Sequence, residues 1–175
     1  MKKFIKLFTS TIMLVFLIII LPVSYIYSNA FTLVKEDKNI IEIAKSDGRF
    51  NTLVEALNKA DLVNTLEGKG PFTVFAPTDD VFSKLPAGTL ENLLKPENKD
   101  TLKDILLYHV AKGKLSSADI LKLDGKKLTL LNGKTANITV KNGDVFINDA
   151  KIIITDIAGS NGIIHVIDAV LIPEK

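Results

Sequence analysis

The sequence contains no cysteine and only two histidines, and both scarcities limit its chemistry. Without cysteine, the chain has no disulfide, no thiol nucleophile and no thiolate metal site. Only His109 and His165 could supply an imidazole for catalysis or metal binding. No segment supplies a nucleophile, a base and an oxyanion donor together. We therefore predict no catalytic residue, no metal site and no cofactor, and we expect a protein that is not an enzyme.

The chain after residue 30 also has no large excess of positive or negative charge. The chain has 22 basic and 20 acidic residues, which gives a net charge of +2. Residues 1–30 hold three lysines and no acidic residue, so the rest of the chain carries −1. A near-neutral domain has no electrostatic reason to bind nucleic acid, and we expect no such partner.

Residues 1–30 have the order that is typical of an export signal. Three lysines come first, Ile12 to Leu21 is an unbroken apolar run, and Ser28-Asn29-Ala30 fits the small-x-small cleavage pattern. This order predicts a cleaved signal peptide.

The alternative is an uncleaved membrane anchor, because Leu7 to Ile26 is apolar enough and long enough to span a bilayer. Under both interpretations the rest of the chain is extracytoplasmic, either secreted or anchored at the cell surface. We expect residues 31–38 to be a linker and residues 39–173 to form the domain.

The stretch from Phe72 to Phe82 combines three local signals. Phe72 to Phe75 are strand formers that are apolar on both faces, as in a buried strand. Pro77 ends the strand because it has no N–H to donate. Thr78 is a candidate helix N-cap, and Asp79 follows in the first turn, where the helix dipole favours an anion.

Short amphipathic helices are predicted on either side of this strand. Asn39 and Glu42 form a capping box for the first one, and helical spacing or bracketing prolines indicate the others. The predicted helices cover Ile40–Lys45, Phe50–Ala60, Thr89–Leu94, Asp100–Leu107 and a short piece from Ser116 or Ser117 to Leu121.

From Lys126 onward the apolar residues alternate with polar ones, which is the period of a strand. Asn132-Gly133, Asn142-Gly143 and Asn161-Gly162 are hairpin-turn signals. The last strand, Ile163 to Ile172, is apolar on both faces like Phe72 to Phe75, and we expect the two to lie together. Helices around one early strand followed by hairpins predict an α+β fold with a mainly antiparallel sheet.

At these motifs the sequence resembles the fasciclin domain family. The resemblance rests on FTVFAPTDDVFSKLP, LPAGTLENLL, ILLYHV and NGIIHVIDAVLIP, in that order along residues 40–173. It implies a β-sandwich or wedge decorated by short helices. It also implies an extracellular adhesion module that binds a protein or glycan on a surface or in the extracellular matrix.

The resemblance draws attention to Tyr108 and His109, with Leu107 and Val110 as aliphatic flanks. In animal members of the family, such a Tyr-His pair is associated with integrin binding, which implies a partner-binding role for these four residues. The other interpretation is a core aromatic residue beside a hydrogen-bonded imidazole.

His165 lies on the most apolar strand, so we predict a buried, structural histidine. A buried imidazole needs hydrogen-bond partners. We expect those partners to be Thr78 and Asp79, at the corner after the first strand. Asp79 and Asp80 have a second interpretation as a carboxylate pair for metal or acid–base chemistry.

An alternative function is an extracytoplasmic carrier of an apolar small molecule. A carrier needs an apolar cavity of several hundred cubic ångströms. An adhesion module needs instead an exposed apolar or aromatic patch on a filled core.

Overall fold

Strand β1, Phe72–Pro77, lies beside β7, Gly162–Ile167, near the centre of the sheet. The two strands run parallel, with Phe75 opposite His165. Both strands are buried almost throughout, which is why both segments are apolar on both faces. The prediction that these two segments pair is confirmed, although β7 ends at Ile167 and does not continue to Ile172.

The structure, a computed structural model, describes residues 38–173. The predicted signal peptide or anchor at residues 1–30 lies outside the described residues. So does the predicted linker at residues 31–38, except for Lys38.

The seven strands within residues 38–173 form one sheet in the order β2-β1-β7-β6-β5-β4-β3. Every neighbouring pair except β1 and β7 is antiparallel. The other five strands are β2 Val110–Lys112, β3 Lys127–Thr129, β4 Thr135–Lys141, β5 Asp144–Ile147 and β6 Ala150–Gly159.

The two ends of this sheet meet, so the expected sandwich or wedge is replaced by a nearly closed barrel. Ala111 of β2 bridges to Leu130 just after β3, and the Leu131 N–H donates to the Val110 carbonyl at 2.7 Å. Irregular register in β6 on both sides of Ile154 bends that strand. This bend lets a single sheet curl until its two ends meet. A sandwich would instead need two separate sheets packed face to face. The α+β class and the mainly antiparallel pairing are confirmed.

Local signals explain where the helices begin. The Asn39 side chain accepts from the N–H groups of Ile41 and Glu42, and the Glu42 carboxylate accepts from the Asn39 N–H. Ser116 forms a second capping box with Asp119. The helices are α1 Ile40–Asp47, α2 Asn51–Lys59, α3 Val63–Glu67, α4 Asp79–Ser83, α5 Thr89–Leu93, α6 Lys99–Leu107 and α7 Ser117–Leu121.

Two hydrophobic clusters lie on opposite faces of the sheet. Val74 and Ala76 of β1 point to a cluster shared with the helices, whereas Phe75 points into the barrel. This division follows from the alternation of side chains along a strand. The barrel interior is filled by inward-facing side chains from β1, β2, β4, β5, β6 and β7.

Candidate functional site

Tyr108 follows the last residue of α6 and is buried, with 3% of its surface exposed. Its ring packs in the cluster inside the barrel. The hydroxyl donates to the Thr135 carbonyl at 3.0 Å and accepts from the Asn148 side-chain amide at 3.0 Å. Tyr108 therefore ties the end of α6 to the start of β4 and to the turn after β5.

His109 is buried beside it and uses both ring nitrogens. Nε2 accepts the N–H of Leu171 at 3.0 Å, so the ring proton is on Nδ1, which donates to the Ile105 carbonyl at 2.8 Å. Burial lowers the pKa of His109 to about 4, although the Ile105 carbonyl acts in the opposite direction. The ring is therefore neutral at neutral pH and joins α6 to the C-terminal segment.

The four residues predicted to bind a partner are thus mostly inaccessible. Val110 is 1% exposed and its carbonyl is bonded to Leu131, and only Leu107 keeps a half-buried side chain. Tyr108 and His109 are each only 3% exposed, so their side chains offer little surface to a partner. Their contacts favour the other interpretation of the motif, a core aromatic residue beside a hydrogen-bonded imidazole.

His165 is fully buried, as predicted for a structural histidine. Nδ1 accepts the N–H of Asp156 at 3.3 Å, and Nε2 donates to the Leu115 carbonyl at 2.8 Å. The ring stacks on Phe75 with 5.9 Å between centroids. Burial lowers the pKa of His165, against the opposing effects of the Leu115 carbonyl and the Asp156 charge.

The predicted network of His165 with Thr78 and Asp79 is wrong. The parallel register places His165 opposite Phe75, inside the barrel, while the corner lies beyond Pro77 at the end of the strand. Both ring nitrogens already have other partners. Nothing local in the sequence indicates Leu115 or Asp156, because each reaches His165 only through the closure of the sheet.

Asp79 instead joins the corner to α2. Its carboxylate accepts the N–H of Thr52 at 2.7 Å and both the N–H and the side-chain amide of Asn51. Partial burial would raise the pKa of Asp79, but these hydrogen bonds outweigh it and lower the pKa. Thr78 occupies the N-cap position of α4 without a side-chain capping bond. Asp79 is therefore a structural cap.

The outer face of β3, β4 and β5 carries exposed polar side chains. Asn137, Thr139 and Lys141 alternate with inward residues along β4, and the register places Lys127 opposite Asn137. Two cavities of about 430 Å³ and 610 Å³ lie along this face and share Asn137 and Asn148. The alternation is visible in the sequence, but the cavities are not, since they depend on how the hairpins stack.

Comparison with known proteins identifies the family. The model of the fasciclin domain matches residues 48–173, most of the chain. The chain belongs to the fasciclin family. The resemblance inferred from the sequence motifs is confirmed.

Relatives of this fasciclin domain occur in bacteria and animals. Protein sll1483 of Synechocystis is 49% identical over 134 residues, which cover 77% of this chain and 73% of that protein. Transforming growth factor-beta-induced protein ig-h3 of rabbit is 38% identical and covers 77% of this chain, but only 19% of that protein. This fasciclin chain therefore spans a small part of the animal relative.

A solved FAS1 domain pair from the insect cell adhesion molecule Fasciclin I shares the fold. Its TM-score is 0.69 at 20% identity, over 78% of this chain and 51% of that chain. This match shows that the two proteins share the fold. Within residues 38–173, no three His, Asp or Glu side chains are grouped so that they could hold a metal ion. No helix in the same range has the length and apolar character needed to cross a membrane.

Proposed function

We propose that this fasciclin domain is an extracellular binding module that attaches to a protein or glycan partner at a cell surface or in the surrounding matrix. Membership of a family that includes cell adhesion proteins supports this role. The predicted export segment at residues 1–30 agrees with an extracellular place of action.

The observation that carries the proposal is the contrast between the two outer faces of the barrel. Helices cover the side formed by β1 and β7, where their cluster is buried. The outer face of β3, β4 and β5 instead presents mostly lysine, asparagine and threonine side chains, together with the half-buried Phe146 and Asp144 of β5. The filled interior favours a binding module over a carrier. The open face is mostly polar and is not the apolar or aromatic patch expected from the sequence, so a partner would be held there mainly by polar contacts.

The alternative function, an apolar carrier, has less support. The barrel interior holds packed side chains, among them Phe75, Ile138, Ile147 and Ile167, each with no exposed surface. The cavities of 430 Å³ and 610 Å³ open on the surface, and polar residues make up much of their lining. An absorption spectrum and mass spectrometry of the natively purified protein test for a bound apolar molecule.

The experiment that tests the binding role is attachment of the full-length protein to its own cells. We expect the folded protein to attach saturably to cell-envelope particles from its host, and heat-unfolded protein to lose saturable attachment. Cell fractionation should place the protein outside the cytoplasm. Cytoplasmic protein with Met1 intact, or no saturable attachment, would contradict the proposal.

A further inference from the structure

The outer face of β4 offers mainly side chains, because both edges of this strand are occupied. β5 pairs with one edge of β4, and β3 together with the preceding segment Asp124 to Lys126 takes the other edge as far as the Val140 N–H. A peptide therefore cannot add to β4 as an extra strand. Recognition here must use side-chain charges, amides and hydroxyls.

Lysines give this face a positive end. The 430 Å³ cavity is lined by Lys127 and Lys134 and by no acidic residue. Lys134 lies 3.6 Å from a carboxylate oxygen of Asp104, which does not line the cavity. Among the described residues, Lys127 forms no ion pair. An anionic group is favoured in such a cavity chiefly by Lys127, since Lys134 already has the Asp104 carboxylate as a partner.

The adjoining 610 Å³ cavity continues the face along β4. It contains Lys141, and also the acidic Asp149. On β5, Asp144 lies opposite Lys141 in the register, but its carboxylate forms an ion pair with the Lys151 ammonium group at 2.7 Å. β4 has seven residues, so the face extends about 20 Å along the strand, enough for a chain-like ligand with repeated charges.

Asn148 supplies a pre-organised amide between the two cavities. Its side-chain oxygen accepts the Asn137 N–H at 2.9 Å, and its nitrogen donates to the Tyr108 hydroxyl. A primary amide keeps a second hydrogen and a second lone pair after these two bonds. Tyr108 thus acts from the core as a positioning residue for this surface. The side chains of Thr135, Asn137 and Thr139 line the cavities beside it.

We infer that this face binds an acidic polysaccharide, with lysines meeting its carboxylates and the amides and hydroxyls meeting its sugar hydroxyls. The inference rests on the proposed binding function and names the partner class and the surface. An acidic peptide fits less well, since β4 has no free edge and the 430 Å³ cavity is mainly polar.

The test measures binding of the full-length protein to soluble polygalacturonate, a uronic acid polymer, with neutral dextran as the comparison. We expect saturable binding to polygalacturonate that weakens with added salt, and none to dextran. The double variant Lys127→Gln, Lys141→Gln should bind about tenfold more weakly, because two exposed charge contacts are lost. Tyr108→Phe should weaken binding with a smaller change in salt dependence, since it removes a hydroxyl and no charge.

The matched control is Lys84→Gln, Lys95→Gln, which removes two exposed lysines from the segments between β1 and β2. This control should bind like the parent, and both double variants should keep the parent's unfolding temperature. Equal weakening in the two double variants, equal binding to dextran, or stronger binding to polyglutamate than to polygalacturonate would overturn the inference. Undiminished cell attachment by the Lys127, Lys141 variant would overturn it while leaving the proposed function intact.

Discussion

Both histidines in the chain are held by the same hydrogen-bond pattern. Each ring donates one N–H to a backbone carbonyl and accepts one backbone N–H at its other nitrogen. Protonation would turn the accepting ring nitrogen into a second donor that faces a backbone N–H. Both hydrogen bonds of each histidine therefore form only when its ring is neutral. The hydrogen bonds that His109 and His165 make are therefore sensitive to acid.

We expect the free energy of unfolding to fall as the pH is lowered from about 6.5 to about 4. The unfolded His109 gains a proton near its ordinary pKa of 6.5, whereas the folded ring resists protonation down to about 4. The contribution of His109 to the free energy of unfolding is therefore fully present above pH 6.5 and is lost as the pH falls through this window. The total loss from this residue is about 3 kcal/mol. Urea unfolding at a series of pH values measures this loss.

His109→Gln is the matched variant, because a neutral amide has a donor and an acceptor but does not titrate. The variant should be less stable than the parent at pH 7.5 and should lose less stability between pH 6.5 and 4. His165 supplies the slope that remains, since its pKa is also lowered. A slope unchanged by the substitution would show that His109 is not the titrating group.

The burial of His165 was predicted from the sequence, but that of His109 was only one of two interpretations, and the partners of neither ring were predicted. His165 sits between Ile164 and Val166, and that apolar setting is local information. Its acceptor at Leu115 is 50 positions away, and His109 bonds Leu171 62 positions away. Such pairings become definite only when the strand order is known.

At the scale of elements, α2 takes its N-terminal cap from another segment. Its own N-cap residue is Phe50, whose side chain cannot accept a hydrogen bond. Asp79, just after β1, supplies the carboxylate instead, and the Asp79 N–H donates to the Arg49 carbonyl at 2.9 Å. The corner after β1 is thereby fixed to the start of α2.

Asp79→Ala should destabilise the domain by about 1 kcal/mol, because α2 loses its only side-chain cap at this end. Asp80→Ala is the control, since Asp80 is its exposed neighbour in the same helical turn. Thermal unfolding of both variants measures the difference. Equal losses would contradict the capping role.

A double-mutant cycle of Asp79→Ala with His165→Ala should be additive, since the two side chains belong to separate networks. A coupling well above 0.5 kcal/mol would restore the network first predicted from the sequence.

The elements that sequence analysis located well are those with local signals. The capping box at Asn39 starts α1 as predicted, and Asn142-Gly143 forms a hairpin turn in which both residues have positive φ. The barrel closure at Ala111 and Leu130 was not predicted. That bridge depends on the irregular register of β6, which has no clear pattern in the sequence.

For the whole molecule, strand position sets local stability. β1 and β7 are flanked on both sides and buried, whereas β3 has three residues and meets β2 through a single bridge. We expect amide hydrogens in β1 and β7 to exchange only on global unfolding, and those in β3 to exchange through local opening. Hydrogen exchange followed by NMR measures this. Equal protection in β3 and β7 would contradict it.

The pairing of β1 with β7 also governs when the domain can finish folding. Val74 and Ile164 are register partners although about 90 residues separate them along the chain. Contacts of such long range are entropically costly to close, and they slow folding. A growing chain leaves β1 without one neighbour until almost the whole domain has been synthesised. The domain therefore completes its fold only late in synthesis, and a chain cut short before Asn161 lacks a strand from the middle of its sheet rather than a dispensable tail.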